Sequence, residues 1–216
     1  AYTTFYSIFN LTWTENAAIH RDDEDRTQYY SQIIETSFRV LASACLGIIA
    51  AVALLFPILV NEKFGDSYYQ IPIYMLSSLM YSAIGIFSVV YIAFKKTGEI
   101  AKTSLLAAII NLTVNIALIR FIGLYAASIS SAVAYGVLFL FRYFDIKKMM
   151  DITIGKRVTW SVIGMLFIDF VVYYLRIGWI SVVNLAAVAC YALYLNRKII
   201  KEMFIIISKR FGKEKR

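Results

Sequence analysis

The sequence predicts an all-α fold: a polytopic membrane helical bundle with six full transmembrane helices and a partial helix at the N-terminus. Composition is the first reason, because 60% of the residues are hydrophobic and 17% are charged, whereas soluble domains are about 45–50% apolar and about 25% charged. The second is the length of the apolar runs, since about 17 to 25 apolar residues form a helix that crosses a bilayer core. The third is the alternation of basic residues between these runs.

Two adjoining apolar runs near the middle of the chain, Thr103–Ile119 and Phe121–Phe141, contain no charged side chain. Only Arg120 separates them and Gly123 follows shortly, so the chain must turn back beside itself. The sequence therefore predicts a hairpin of two antiparallel membrane helices. Small residues recur at every fourth position of the second helix, a spacing that lets helix backbones approach closely in lipid; they are Ala126, Ser130 and Ala134.

The rest of the chain divides in the same way into apolar runs and polar connections. Four more runs predict complete spans, namely Val40–Val60, Ile71–Phe94, Val158–Leu175 and Ile177–Leu195. The segment Ala1–Ile19 is expected to be the end of another spanning helix. Polar residues predict solvated loops at His20–Gln32 and Arg142–Arg157, and an amphipathic basic tail at Asn196–Arg216.

The basic residues predict the orientation of these spans. Lysine and arginine gather on the cytoplasmic side of membrane proteins. Of the 22 basic residues, all but Lys63, Arg120 and Arg176 fall in alternate loops, in the tail or at Arg39. The pattern predicts a multi-pass protein with a cytoplasmic C-terminus. It also explains the net charge of +8, so the expected partner is the lipid bilayer and not nucleic acid.

Residues that commonly carry chemistry are sparse and scattered. Cys45 and Cys190 both lie inside apolar runs, and His20 has no second metal-binding residue at ligand spacing. No catalytic triad or glycine-rich phosphate loop is present in the sequence. We therefore expect no catalytic site, no metal and no cofactor, and we do not expect an enzyme.

Polar residues inside the apolar runs are the candidate functional positions. One helical face of the first segment carries Thr3, Ser7, Asn10 and Thr14. Asn111 and Asn115 are four residues apart, so they share a helix face. Polar groups at membrane depth usually face the bundle interior or a wet path. Both sets have two interpretations, a polar lining for a hydrophilic cargo or hydrogen bonding between helices.

Three charged residues near or within the spans also have two interpretations each. Glu15 either gates access by pairing with a cation or marks a solvated helix end. Arg39 either contacts an anionic head group or substrate phosphate, or extends to the cytoplasmic interface. Asp169 either couples a proton or cation to transport or is a structural carboxylate bonded to a neighbouring helix.

The order of these features resembles the second lobe of the polysaccharide flippases, the Wzx-like branch of the multidrug/oligosaccharidyl-lipid/polysaccharide exporter superfamily. The features are a partial helix ending near a tryptophan, a span ending near a proline, an outer loop with tyrosines, a basic inner loop, paired asparagines and a glycine before small residues. In this chain they are Trp13, Pro57, Tyr68, Tyr69, Lys95-Lys96-Thr97, Asn111, Asn115, Gly123 and Ala126-Ala127. The resemblance covers Ala1–Phe144 and, more loosely, the last helix pair.

The resemblance implies a transporter of two six-helix lobes around a central cavity, of which this chain is one lobe. Residues 1–150 would form the second-lobe bundle without its first helix, and residues 151–216 an additional helix pair with a basic cytoplasmic tail. The missing N-terminal lobe would be a partner. The cargo would be a lipid-linked oligosaccharide, moved across the bacterial cytoplasmic (inner) membrane for surface polysaccharide export.

Three other functions are compatible with the same sequence features. The protein could be a multidrug exporter of the same superfamily, a membrane-bound glycan-modifying enzyme, or a structural membrane subunit without transport. Resistance to drugs without a glycan phenotype would favour the multidrug exporter. Turnover in detergent without a membrane gradient would favour the glycan-modifying enzyme. In the third, Asp169 and the polar stripe would serve only as contacts between helices.

Overall fold

A computed structural model describes residues 13–202 and residue 205, and all regular structure in this part of the chain is helical. The helices are α1 (residues 13–19), α2 (Arg26–Leu59), α3 (Gly65–Tyr68), α4 (Ile71–Ala93), α5 (Thr97–Ile122), α6 (Tyr125–Met149), α7 (Lys156–Leu175) and α8 (Gly178–Leu195), and residues 197–202 after α8 are also helical. Six of them, α2 and α4 to α8, are long and apolar enough to cross a membrane. The predicted all-α bundle with six spans is therefore confirmed.

Helix α5 shows why this bundle suits a bilayer and not water. Only Thr103 and Ala107 are buried among its 26 residues. Large apolar side chains cover its outer surface, and Leu105, Leu112 and Ile116 are each more than 60% exposed. An apolar surface this continuous is unusual on a soluble monomer but carries no penalty against acyl chains. The chain is a multi-pass membrane protein.

The spanning helices pack in two groups of three. In one group, α6 packs extensively against both α4 and α5; in the other, α2 packs against α7 and α8. Contact between α2 and α4 joins the groups. Side-chain bonds give the directions: Asn111 meets Ser131 while Thr103 meets Arg142, so α5 and α6 are antiparallel.

Helix α2 begins earlier than the sequence predicts. The expected loop at His20–Gln32 is wrong from Arg26 onward, because α2 contains 34 residues. At about 1.5 Å per residue it is about 51 Å long, well beyond the roughly 30 Å of a bilayer core. Its first half is stabilised by contacts with other segments of the chain. One of them is a hydrogen bond of 2.6 Å from the Tyr30 hydroxyl to the Ala17 carbonyl.

The expected loop Arg142–Arg157 is also wrong over its first half, because α6 continues to Met149. The connection that follows is bound along α2. The Thr153 amide donates to the Ser31 hydroxyl (3.1 Å), and the Gly155 amide donates to a Glu35 carboxylate oxygen (2.8 Å). The turn between α6 and α7 is therefore fixed to the polar half of α2.

The partial helix α1 is bound to the bundle through Trp13. This side chain is 2% exposed, and its indole Nε1 donates to the backbone carbonyl of Ile86 in α4 (3.3 Å). The ring also makes an edge contact with Tyr30 of α2, with 5.4 Å between ring centroids. Trp13 thus fixes α1 against both α2 and α4.

Candidate functional site

A cleft of about 670 Å³ lies between α4, α5 and α6. It forms because α4 and α5 each pack extensively on α6 but contact each other at few positions. Its lining combines an arginine, two asparagines, two serines and two tyrosines with small and aliphatic residues: Tyr81, Ile84, Gly85, Ser88, Ser104, Ala107, Ala108, Asn111, Leu112, Asn115, Tyr135, Leu138 and Arg142. The cleft therefore combines polar groups with a largely apolar surface within the membrane-spanning part of the protein.

Arg142 of α6 lies at one end of this cleft and is 1% exposed. Its guanidinium donates hydrogen bonds to oxygens on α4 and α5, at 2.9 to 3.3 Å for most of them. The acceptors are the hydroxyls of Ser88, Thr103 and Ser104 and the backbone carbonyls of Ile84 and Ile100. A guanidinium has five N–H donors in a fixed planar fork, and this cage of oxygens matches that geometry.

The five residues of this cage are all uncharged, and their oxygens accept the hydrogen bonds of the guanidinium. The carboxylate one turn further along α6, Asp145, accepts a hydrogen bond of 2.6 Å from the Tyr91 hydroxyl of α4. The Tyr91 ring lies 5.9 Å from the guanidinium carbon. Arg142 therefore supplies a fixed cation at one end of the cleft and binds α4, α5 and α6 to one another.

The two asparagines predicted as candidates both line the cleft, but they differ in their partners. Asn111 bonds across to α6, where its Nδ2 donates to the Ser131 hydroxyl (3.2 Å) and its Oδ1 accepts from Ser130 (3.4 Å). Asn115 is half-buried and has no hydrogen-bond partner within the described part of the chain. Asn111 thus lines the cleft and also bonds to a neighbouring helix, whereas Asn115 is an amide open to the cleft.

The predicted polar stripe is described only at its last position. Thr3, Ser7 and Asn10 lie outside the described residues. Thr14 is half-buried in α1 and is not part of the cleft lining, and Glu15 beside it is exposed. Whether the stripe and the asparagines face one cavity stays a prediction.

Arg39 lies away from this cleft, about midway along the extended α2. It forms an ion pair with Glu35 one turn earlier. Both line a second cavity of about 880 Å³, enclosed by the first half of α2, the connection before α7 and the segment after α8. Asn196 borders the same cavity and donates to the Ser43 hydroxyl (2.8 Å). Arg39 is thus held by its own helix beside a polar cavity.

Asp169 is fully buried in α7, where its Oδ1 accepts a hydrogen bond of 2.6 Å from the Asn184 amide of α8. Its Oδ2 has no hydrogen-bond partner among the described residues. The bond joins two helices that otherwise contact each other over a small area. This geometry favours the structural interpretation of Asp169 over the coupling one.

Substitution of Asp169 tests the structural interpretation. Asp169→Asn keeps the size and a hydrogen bond to Asn184, so we expect thermal unfolding in detergent close to that of the wild type. Asp169→Leu leaves the Asn184 amide unpaired, and we expect a loss of about 1–3 kcal/mol in the free energy of unfolding. Unfolding of Asp169→Leu at the wild-type temperature would contradict the structural interpretation.

Of the residues that line the cleft, sequence reasoning singled out only Asn111 and Asn115 and missed, among others, Arg142, Tyr81 and Tyr135. A usable signal was present for Arg142, because it directly continues an apolar run and hydroxyl residues recur in the two neighbouring spans.

The described residues contain no group of three His, Cys, Asp or Glu side chains that could hold a metal ion. The lining is therefore suited to binding by hydrogen bonds, aromatic contact and one cation.

Comparison with known proteins adds no relative: no protein-family model, no curated protein and no solved structure gives a significant match to this chain. The assignment of a function therefore depends on the geometry of the cleft and on the membrane-spanning fold. The fold is common to many classes of membrane protein, so the inference of a function rests mainly on the cleft.

Proposed function

We propose that this chain is one lobe of a membrane transporter, a polysaccharide flippase that moves a lipid-linked oligosaccharide across the bacterial cytoplasmic membrane by alternating access. The observation that carries the proposal is the cleft between α4, α5 and α6, which has the buried Arg142 guanidinium at one end and two asparagine amides further along its lining. Polar groups at membrane depth usually mark a substrate path.

The cleft meets the physical requirements of this cargo. Sugar hydroxyls and a diphosphate cannot enter hydrocarbon unshielded, because an unpaired polar group there costs several kcal/mol. A prenyl tail has the opposite preference and can stay in the lipid. A cleft walled by three helices, with a gap between α4 and α5, shields the polar part while the tail remains outside.

Alternating access requires relative motion of rigid bodies. The groups α4–α6 and α2, α7 and α8 are joined by contact between α2 and α4 and share one buried apolar core, so this lobe would move as a unit. Transporters with repeated lobes place their sites between such bodies near the bilayer midplane. The missing N-terminal lobe would form the opposite wall of the path, with residues 1–150 as the second lobe and 151–216 as the added helix pair.

The buried guanidinium also bears on the alternative of multidrug export. Arg142 places a positive charge at one end of the cleft, and a cationic drug in that space would be repelled. A diphosphate carries the opposite sign and would be attracted. The charge therefore favours the lipid-linked oligosaccharide over a cationic drug as cargo.

Blocking the cleft with a bulky side chain tests the proposal. Ala108 lines the cleft, is exposed in it and lies on α5. We expect Ala108→Trp in the full-length protein to reduce surface polysaccharide to the level of cells that lack the gene. Ala117→Trp is the matched control, because Ala117 is exposed on the same helix outside the cleft lining, and it should export normally.

The measurement is surface polysaccharide in cells whose own gene is deleted and replaced by each variant, with the amount of each protein in the membrane determined in parallel. Normal export by Ala108→Trp at normal abundance would contradict the proposal. Normal polysaccharide in deleted cells, together with lost tolerance to toxic compounds, would assign the cleft to drug export instead.

A further inference from the structure

We infer that Tyr81, Tyr135 and Asn115 form a subsite for an uncharged sugar, at the end of the cleft away from Arg142. The inference rests on the proposed function, because it names the part of the cargo that occupies one end of the same cleft. All three residues line the cleft, one on each of the three helices that form its walls.

The cleft is divided along the membrane normal. Ser88, Ser104 and the Arg142 guanidinium occupy one end. Tyr81 lies seven residues from Ser88 along α4, about 10 Å, and Asn115 lies eleven residues from Ser104 along α5, about 16 Å. The two ends are therefore separated by roughly two to three helical turns.

An apolar band lies between the two ends. Ile84, Ala107 and Leu138 pack together as a small buried cluster, and Tyr135 packs against it. This band offers no hydrogen bond to a cargo. A molecule that fills the cleft must therefore be polar at both ends, with its anionic group near Arg142 and a second hydrogen-bonding part beyond the band.

The far end has the chemistry that binds a sugar. The rings of Tyr81 and Tyr135 have centroids 5.3 Å apart and planes tilted by 50°, so they form an angled aromatic wall with hydroxyls at its edge. Sugar rings present C–H faces to aromatic rings and hydroxyls to amides. Binding pockets typically combine aromatic walls with a few such polar groups. Asn115 provides the amide, since its side chain has no partner among the described residues.

The amide also argues against an acyl chain as the occupant of this end. An unpartnered asparagine at membrane depth is costly unless it meets water or a polar ligand. An acyl chain would leave the amide unpaired, whereas a sugar hydroxyl accepts from it and donates to it. Tyr81 is 48% exposed, so its ring is accessible to a ligand that enters the cleft.

The experiment compares two probes on the purified full-length protein in lipid nanodiscs. One probe is a short-chain polyprenyl diphosphate, and the other is the same lipid carrying one N-acetylhexosamine. We expect the wild type to bind the sugar-bearing probe about tenfold more tightly, which corresponds to one or two hydrogen bonds and a ring contact. Asn115→Leu and Tyr81→Ala should each remove most of this difference and leave the dissociation constant of the sugar-free probe unchanged.

Controls separate a specific loss from a general one. Trp160→Ala removes an aromatic side chain that is 71% exposed on α7, and it should retain the full difference between probes. Thermal unfolding checks that each variant is folded. If Tyr81→Ala fails to fold, Asn115→Leu decides the matter alone, because it removes no hydrogen bond within the described chain.

The outcomes distinguish the inference from the proposed function. Equal affinity of the wild type for both probes, or equal loss of both in the two variants, would overturn the sugar subsite while leaving a lipid-diphosphate carrier. Failure of the wild type to bind either probe would overturn the proposed function itself. A difference that depends on Tyr81 and Asn115 supports both.

Discussion

Replacing Arg142 with leucine should strongly destabilise the protein. The guanidinium fills a space where it is 1% exposed and donates to oxygens on both α4 and α5, so leucine would leave a cavity and unpaired hydroxyls. Large-to-small changes in a core cost about 2–5 kcal/mol, and unpaired buried polar groups add to this. We expect a free energy of unfolding reduced by about 3–5 kcal/mol and much less protein in the membrane.

Lysine at this position separates charge from geometry. Arg142→Lys keeps the positive charge but has three donors on a single nitrogen and lacks the planar fork. We expect it to fall between the wild type and Arg142→Leu in thermal unfolding. Arg120→Leu is the control, because Arg120 is exposed at the end of α5 and should change stability little. Unfolding of Arg142→Leu at the wild-type temperature would show that the cage contributes nothing to stability.

The six spans could be predicted from the sequence because lipid imposes one simple requirement, a long run of apolar residues. The residues at which the helices begin and end in polar segments could not be predicted from the sequence. Helix α2 extends from Arg26 to Leu59, although its first turns are rich in charged and polar residues. Those turns are helical because they pack against α1 and hold the connection before α7, as in the Gly155 bond to Glu35. Such contacts depend on segments that are far apart in sequence.

Arg142 shows the same limit at the candidate site. A charge at the end of an apolar run is typical of a loop residue, so the sequence predicts Arg142 in a loop. What places it inside α6 is a set of oxygens contributed by α4 and α5, including Thr103, which is 39 residues away. Only the packing of three helices brings those oxygens together.

The two asparagines show that shared spacing does not give shared environment. Asn111 and Asn115 are on one face of α5, as predicted, and both line the cleft. Asn111 meets Ser130 and Ser131 of α6, whereas Asn115 meets no partner in the described chain. The spacing predicted the face correctly, and the position of serines on a second helix decided the role of each amide.

The contact between Tyr68 of α3 and Tyr173 of α7 binds the last helix pair, α7 and α8, to the rest of the bundle. The two rings stack with centroids 4.2 Å apart. Each hydroxyl donates to the backbone carbonyl of the other residue, at 3.0 and 2.9 Å. Neighbouring contacts strengthen the junction, because the Tyr174 hydroxyl donates to the Tyr69 carbonyl (2.8 Å) and Arg176 donates to the Tyr69 hydroxyl (3.0 Å).

Tyr173→Ala should therefore have the second large effect on stability. It removes a ring that is 1% exposed, its stacking and one reciprocal hydrogen bond, and loss of a buried aromatic ring costs about 3–5 kcal/mol. Tyr173→Phe keeps the ring and loses only its hydroxyl, so we expect a loss of about 1 kcal/mol. Thermal unfolding in detergent measures both, and Tyr194→Ala, at a residue 64% exposed, serves as the control.

The pH dependence of this junction has a definite sign. Burial raises the pKa of the Tyr68 phenol, so the folded protein favours the protonated hydroxyl. Its contribution to stability should be constant below about pH 10, the usual pKa of tyrosine, and should fall as the pH rises above that value. In Tyr68→Phe this fall should be smaller than in the wild type.

Because the junction joins the α3 loop to the end of α7, its loss should also loosen α7 and α8 locally. Hydrogen exchange in Tyr173→Ala should rise in α7 more than in α5, which packs mainly against α6. A uniform rise across all spans would mean instead that the two tyrosines stabilise the bundle as a whole. Unchanged exchange and unchanged unfolding would mean that packing on α2 alone holds the last helix pair, and the tyrosine contact would then be a consequence of that packing.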